Sequence, residues 1–494
     1  MTTINLTRAN LSRMNKSVSV PGYDRKDLSS SIVHIGLGNF HRAHQAKYLD
    51  ELIERGIERT GIFEINLVPD ALPLADILRE QDYLYTLVTK SPGGEEKVRV
   101  VGPVLGYLNA GADREAALLR MADSGTSLIT LTVTEKGYYY DKKTGEPDTQ
   151  SPEVQGDLNH SAEPKTAAAY LARALSMRYR SGRKGLTIAS CDNIPSNGKV
   201  LKNGVLFFCR ELYPDIVSWV EGEVSFPCSM VDRITPVTTQ ALVEELREHY
   251  GIADRWPVCG EDFRQWVLED NFKSKVPRYG EAGVQIVKDV EPYELMKMRL
   301  LNGSHSAMSY PSYLLGCRWV EEGITNPLIK TFIRKRYMEE VTPTLEPVPG
   351  IDLTAYKDTL VSRFSNKHIG DTILRLCSEG TSKIPNFMVK PLSEAIRQGR
   401  PVDAIIFALA CWSRFLEGKD EQGEPIPLED ANGPAMAEAA RKAQGNPAAF
   451  LSAAGLRDLS PAQVEAAAGK FKSHLDAIHR KGIKRALEEF LGTS

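Results

Sequence analysis

The sequence predicts a two-domain α/β chain, a doubly wound parallel sheet first and a mainly α-helical domain second. Three observations carry this. Short apolar runs alternate with amphipathic helical stretches through the first 288 residues. A glycine turn, Gly36-Leu-Gly38, joins the first such run to the first helical stretch. Beyond residue 288 the strand-like runs give way to helical periodicity. The expected domains are therefore 1–288 and 289–494, the first of them Rossmann-like.

Taken in order, Ser31-Ile-Val-His-Ile35 is a short apolar run that reads as a strand. NFHRAHQAKYLDELIERG follows the glycine turn with helical spacing. GIFEINLV, residues 61–68, reads as a second strand with Asp70 just after it. Further strands are expected at VRVVG (98–102), LITLTVT (128–134) and GLTIASCDN (185–193). Helical stretches such as PKTAAAYLARALSMRYRSG lie between them. In the second half, NPLIKTFIRKRYMEEV, AYKDTLVSRFSN, VDAIIFALACWSRFLEG and AGKFKSHLDAIHRKGIKRALEEFLG all fit helical periodicity. EGKDEQGEPIPLEDANGP is a turn-rich break before a helical tail.

Composition narrows the function classes. The chain has 494 residues, 42% of them hydrophobic, enough for more than one core. Its net charge is −3 with both signs mixed along the chain, so no basic footprint for nucleic acid is present. The longest apolar run, Ala404 to Trp412, is far short of the ~20 residues that span a bilayer. Seven cysteines are scattered without a CxxC pair, unlike a disulfide scaffold or a zinc ribbon. Free thiols and a polar N-terminal segment lead us to expect a cytoplasmic protein.

The most informative stretch is Lys297-Met-Arg-Leu-Leu-Asn302-Gly-Ser-His305, set in an apolar helical pattern. On an α-helix Lys297, His305 and Asn302 fall at about 0°, 80° and 140° around the axis, on one side. A lysine whose pKa is lowered by burial serves as a general base. An amide and an imidazole beside it hold an alcohol or carbonyl oxygen. That is equipment for oxidising a secondary alcohol without a metal. The bland alternative lets Lys297 and Arg299 snorkel to solvent while Asn302 and His305 satisfy a core.

Gly36 and Gly38 stand where a dinucleotide fingerprint needs them, with His41 replacing the usual third glycine. Asn39, Phe40 and Arg42, which follow, are expected with them at a nicotinamide dinucleotide. Asp70 is placed to bind the adenosine ribose hydroxyls, which favours NAD over NADP; Glu64, inside the strand, is the weaker candidate. Tyr138/Lys142 and Tyr139/Lys143 match YxxxK, but the segment reads as a strand leading into a glycine turn, without the helix that chemistry requires. No cysteine–histidine cluster has metal-ligand spacing, so no metal is expected. Ser190-Cys-Asp-Asn193 and Met230-Val-Asp232-Arg233 follow apolar strands, where either a ligand role or an internal cap or ion pair is open.

GLGNFHRAHQ, LTVTEKGYYYDKKTGEPD, SCDNIPSNG, SFPCSMVDRITP, FRQWVLEDNF, the K-x4-N-x2-H helix and GIDLTAYKDTLVSRFSN together resemble the polyol-specific long-chain dehydrogenases and reductases. The resemblance runs from about residue 20 to about 425 and is less clear after 430. It implies a metal-independent, NAD-dependent interconversion of a polyol and a ketose, and a monomer. It implies Lys297 as general acid/base, with Asn302 and His305 on the reacting oxygen. It further implies Asn193, Asp232, Arg375 and Lys383 at the substrate and Glu294 on the proton path. A hexuronate reductase of the same superfamily is the rival, with Arg375 or Lys383 as its carboxylate partner; a silent dinucleotide-binding sensor is the remote one. Departures are Ser196 where the family often has histidine, and INLVPDA, which lacks the glycine-leucine-arginine and second acid often found there. A third is CGEDF in place of the more frequent CEPF.

Overall fold

The structure, a computed structural model, describes residues 3–68, 74–142, 144–159 and 163–493. The chain divides into two compact units, Met1–Val290 and Glu291–Ser494.

The first unit is organised by a five-stranded, wholly parallel sheet. Its strands are β1 (Ser29–Ile35), β2 (Thr60–Asn66), β3 (Val104–Asn109), β4 (Leu128–Leu131) and β5 (Thr187–Ser190), in the order β3-β2-β1-β4-β5. This matches the 3-2-1-4-5 part of the doubly wound dinucleotide-binding order. Because successive side chains point to opposite faces, each strand feeds two apolar layers. Ile32, Ile62, Leu128 and Ala189 meet helix Gln45–Glu54 and Trp266 on one face. Val33, Ile35, Ile65, Ile129, Leu131 and Ile188 meet helices Ala167–Arg180 and Asn197–Leu212 on the other.

One expected strand lies elsewhere. VRVVG belongs to Glu96–Val101, which pairs antiparallel with Tyr85–Lys90 in a separate four-stranded sheet. The place at the edge of the parallel sheet is taken by β3, which the sequence reading missed. The helical stretch after the glycine turn is also two helices, Asn39–Ala43 and Gln45–Glu54, broken at His44 (φ −118°, ψ −86°).

The second unit is helical. Its centre is Gly303–Leu314, buried along its whole length. It packs against Asp403–Leu416 and Ile373–Cys377. Gly303 is required there: a Cβ would stand 2.4 Å from the Tyr337 hydroxyl. Asp403–Leu416 in turn packs on the last helix, Pro461–Leu491, which kinks at Gly482. No helix among the described residues is long and apolar enough to cross a membrane.

Candidate active site

In the first unit the glycine turn follows β1. Gly36 has φ +111°, and a Cβ on it would lie 2.1 Å from the Thr132 carbonyl oxygen, so only glycine fits. Gly38 is exposed, and the nearest atom to a Cβ there is the Gly36 oxygen at 3.9 Å. Its open side lets a ligand approach the backbone, as a pyrophosphate requires. The turn is held from behind: the Leu37 amide donates to Asn66 Oδ1 at 3.0 Å, from the end of β2.

The residues after the turn divide into ties and faces. Asn39 donates through Nδ2 to the Pro236 carbonyl (3.3 Å) and the Thr238 hydroxyl (3.1 Å). Arg42 is fully buried, donates to the Trp256 carbonyl and Asn39 Oδ1 at 2.7 Å each, and lies over the Tyr85 ring. Arg42 therefore braces this unit through both Nη atoms. Phe40, half-buried, stacks on His44 with centroids 4.9 Å apart. Asp70 lies outside the described residues. Glu64 is fully buried in mid-strand, not at a strand end.

The YxxxK tyrosine has another role. Tyr138 ends a 3-10 turn, Glu135–Tyr138, and its buried hydroxyl donates to Asp192 Oδ2 at 2.7 Å. Asp192 also accepts the Val133 and Thr134 amides at 2.9 Å each. It thus ties the ends of β4 and β5 together, and burial pushes its carboxyl pKa up. Asn197 adds a second tie, donating to the Asp192 and Ser229 carbonyls and accepting the Ser229 amide. These ties fix the segment carrying exposed Asn193 and the strand Ser229–Asp232, whose Asp232 is buried. Thr134 and Ser196 hold positive φ (64° and 50°), a strained conformation for side chains other than glycine that concentrates at functional sites. The Arg233 guanidinium donates to the Ala43 and Glu261 carbonyls.

In the second unit Lys297–Asn302 forms a π-helical turn between the α-helices Glu291–Met296 and Gly303–Leu314. The α-helical angles expected for this stretch therefore do not apply. Lys297 opens the turn and Asn302 closes it, and His305 follows in the first turn of the buried helix. Single π-turns of this kind are frequent at functional sites. Lys297 and Arg299 do not snorkel, at 7% and 5% exposure. Arg299 anchors the turn: it donates to the Thr344 carbonyl (2.6 Å) and hydroxyl (2.8 Å) and pairs with Glu394 at 2.7 Å. The Asn302 Nδ2 is buried and has no hydrogen-bond partner among the described residues. The His305 ring lies 4.2 Å from the Phe364 ring. Glu294 is half-buried, one turn before Lys297.

Arg375 and Lys383 come together in the same unit. Arg375 grips Asp371 through both carboxylate oxygens at 2.5 Å. Burial opposes the guanidinium charge there, but this pairing outweighs it and raises the Arg375 pKa. Lys383 Nζ approaches the Arg375 and Leu376 carbonyls at 3.5 and 3.4 Å. Burial first, and then Arg375, push the Lys383 ammonium pKa down. Glu379, between them, has φ +50°. The ties made by Asn66, Asn197, Arg299 and Phe364 were missed in the sequence, where their partners lie too far along the chain to leave a local pattern.

Comparisons with known proteins cover both units. The family described as "Mannitol dehydrogenase Rossmann domain" matches residues 30–280, and "Mannitol dehydrogenase C-terminal domain" matches residues 289–479. The second match carries the likeness well past residue 425. Mannitol 2-dehydrogenase of Phaeosphaeria nodorum is 38% identical over 492 residues, covering 99% of this chain and 86% of that protein. Its counterpart in Aspergillus fumigatus is 37% identical, covering 99% of this chain and all (100%) of that protein. Among solved structures, the Pseudomonas fluorescens mannitol 2-dehydrogenase ternary complex with NAD and D-mannitol aligns with a TM-score of 0.87 at 37% identity, covering 99% and 100% of the two chains. A D-sorbitol dehydrogenase in substrate-free form aligns with a TM-score of 0.88 at 34% identity, covering 98% and 100%. With both of its units matched, the chain belongs to the mannitol dehydrogenase family.

Proposed function

We propose that the protein interconverts a sugar alcohol and a ketose with NAD(H), with D-mannitol and D-fructose as the pair and Lys297 as general acid/base. The observation that carries this reading is the π-turn. It sets a buried lysine, a buried amide donor unpartnered among the described residues, and an imidazole along one short stretch of a unit related to mannitol dehydrogenases.

In this reading the open turn at Gly36 and Gly38 holds the dinucleotide, with Asn39 and Phe40 shaping its floor. The nicotinamide, when bound, takes up or returns the hydride. Lys297 takes the hydroxyl proton during oxidation and returns it during reduction. Oxidation needs the neutral form of this lysine. Asn302 Nδ2 and His305 donate to the substrate oxygen as alkoxide charge develops, in the manner of an oxyanion hole. Glu294 lies on the proton's path to solvent. Asn193, Asp232, Arg375 and Lys383 bind the remaining hydroxyls.

NAD is favoured over NADP by the NAD of the P. fluorescens complex. The hexuronate reading is weakened by Arg375, whose two donors on Asp371 would have to be released before they met a substrate carboxylate. The D-sorbitol dehydrogenase likeness supports a polyol of similar length as the second reading. NADH oxidation with D-fructose and with D-fructuronate in parallel, repeated with NADPH, tests the assignment. Turnover of fructose with NADH is expected; turnover of fructuronate alone would overturn it.

A further inference from the structure

Three titratable side chains lie behind the glycine turn and have no part in the chemistry above: His34, His41 and Glu64, all buried. His34 on β1 stands beside Glu64 on β2 in the sheet register, two residues before Gly36. The His34 and His41 rings stack with centroids 3.4 Å apart. Both His34 nitrogens are engaged: Nδ1 with the Thr130 hydroxyl at 2.7 Å, Nε2 with the Thr132 hydroxyl at 2.8 Å and the Gly36 carbonyl at 3.1 Å. With no nitrogen of His34 left to ligate an ion, the cluster fits a hydrogen-bonded brace better than a metal site. His41 Nε2 lies 2.8 Å from Glu64 Oε1.

The chemistry of that contact turns on one proton. Neither Glu64 oxygen and neither His41 nitrogen meets hydrogen-bond geometry among the described residues, so an ionised Glu64 would leave its charge unsolvated in a dry core. A protonated Glu64 carries no charge, and its O–H has His41 Nε2 within reach at 2.8 Å. The groups facing the pair are His34 from β1, Arg42 from the same helix as His41, Gln45 beside His41, and Tyr85. Arg42 is the cation among them; its two Nη atoms donate to Trp256 and Asn39, while its Nε has no hydrogen-bond partner among the described residues. Burial outweighs it, pushing Glu64 up to about 7 and His41 down to about 3.

We propose that Glu64 is a positioning residue held protonated against His41, and that release of its proton to solvent places an anion behind the dinucleotide turn and weakens dinucleotide binding. This rests on the reading that the turn holds NAD(H). The charge would repel the pyrophosphate through the thin layer of the turn.

The test is NADH affinity without substrate, titrated from about pH 6 to about pH 9, either side of neutrality. It is run on the wild-type protein, Glu64→Gln and His41→Gln. The wild-type Kd is expected to rise about 3–10-fold across this range. Glu64→Gln, neutral at every pH, should stay flat within about twofold, and His41→Gln should keep the dependence with a shifted midpoint. A Glu64→Gln profile that follows the wild type overturns the proposal. Difference infrared spectroscopy supplies a second readout, independent of cofactor. A carboxylic acid C=O band should titrate near neutrality in the wild type and His41→Gln and be missing from Glu64→Gln; its absence from the wild type at the acid end also overturns the proposal. Failure of all three proteins to bind NADH at any pH sinks the cofactor reading, and the coupling with it.

Discussion

Lys297 and Asn302 are the first and last residues of one π-helical turn, so a buried amine and a buried amide donor are spaced by an i to i+5 interval instead of an α-helical one. A wider turn redirects the side chains that flank it. It also separates Lys297 from Arg299, whose guanidinium is committed to Thr344 and Glu394.

Lys297→Ala is expected to lower kcat by about 10²–10⁴, the usual worth of a positioned acid/base, while NADH affinity stays within about twofold. In the wild type, oxidation should rise with pH as the neutral amine becomes populated, and reduction should fall. The variant should lose both slopes. Steady-state rates across pH, with cofactor titrations alongside, check this; full turnover in the variant would remove Lys297 from the chemistry.

Asn302→Leu should separate activity from stability. The wild-type Nδ2 is buried without a hydrogen-bond partner among the described residues, so removing it leaves no new orphan group behind. Unfolding free energy should change by less than about 1 kcal/mol. kcat should fall by about 10²–10³, the effect of losing one oxyanion donor. Urea unfolding and kcat measured on one preparation decide it; a loss of stability with activity retained would make Asn302 a core residue.

Much of this molecule was legible because its signals are local. β-Branched runs and a glycine turn specify β1, β2 and the first helix within a few dozen residues. β3 was not legible, because Gly106 interrupts its apolar run. That glycine is set by a contact elsewhere in the sheet, since a Cβ there would stand 2.5 Å from the Phe63 ring. The π-turn was illegible for a different reason: periodicity assumes α-helical spacing, and no residue type marks an i to i+5 bond. Arg299 reads as a surface cation until Glu394, 95 residues away, is placed beside it. The burial of Arg42 is set in the same way, since its partner Trp256 lies far along the chain.

The two glycines of the turn should fail differently when given a methyl group. Gly36→Ala must drive a Cβ into the Thr132 carbonyl at positive φ, so it should destabilise the fold by several kcal/mol. Gly38→Ala meets nothing closer than 3.9 Å and should fold as the wild type does. Its methyl group should nonetheless weaken NADH binding about tenfold or more by blocking the backbone approach. Thermal unfolding paired with NADH titration separates the two; a Gly38→Ala protein that binds NADH normally would exclude that face as the pyrophosphate site.

Acid should unfold the first unit through its buried imidazoles. Burial lowers the pKa of His34, His41 and His44, the last two to about 3, from an ordinary value of 6.5. As pH falls below 6.5 the unfolded chain takes up protons that the folded chain refuses. Each imidazole then costs about 1.4 kcal/mol of stability per pH unit until its folded pKa is reached. Glu64 acts in the opposite sense: its pKa is raised to about 7, so its contribution is present in acid and is lost as pH climbs from 4.5 through 7. Asp192 and Asp254, whose carboxyl pKa values burial also raises, act in the sense of Glu64, but from an ordinary value of 3.8, so between pH 6.5 and 5 the three imidazoles carry the larger slope. The denaturant midpoint should therefore fall steadily from about pH 6.5 to about pH 5. His44 offers the cleanest check, because its Nε2 meets the Gln265 carbonyl at 2.9 Å and not the Glu64 pair. His44→Gln keeps a donor for that carbonyl and cannot titrate. It should remove about 1.4 kcal/mol per pH unit from the acid slope, and an unchanged slope would show that His44 is not buried neutral in the folded protein.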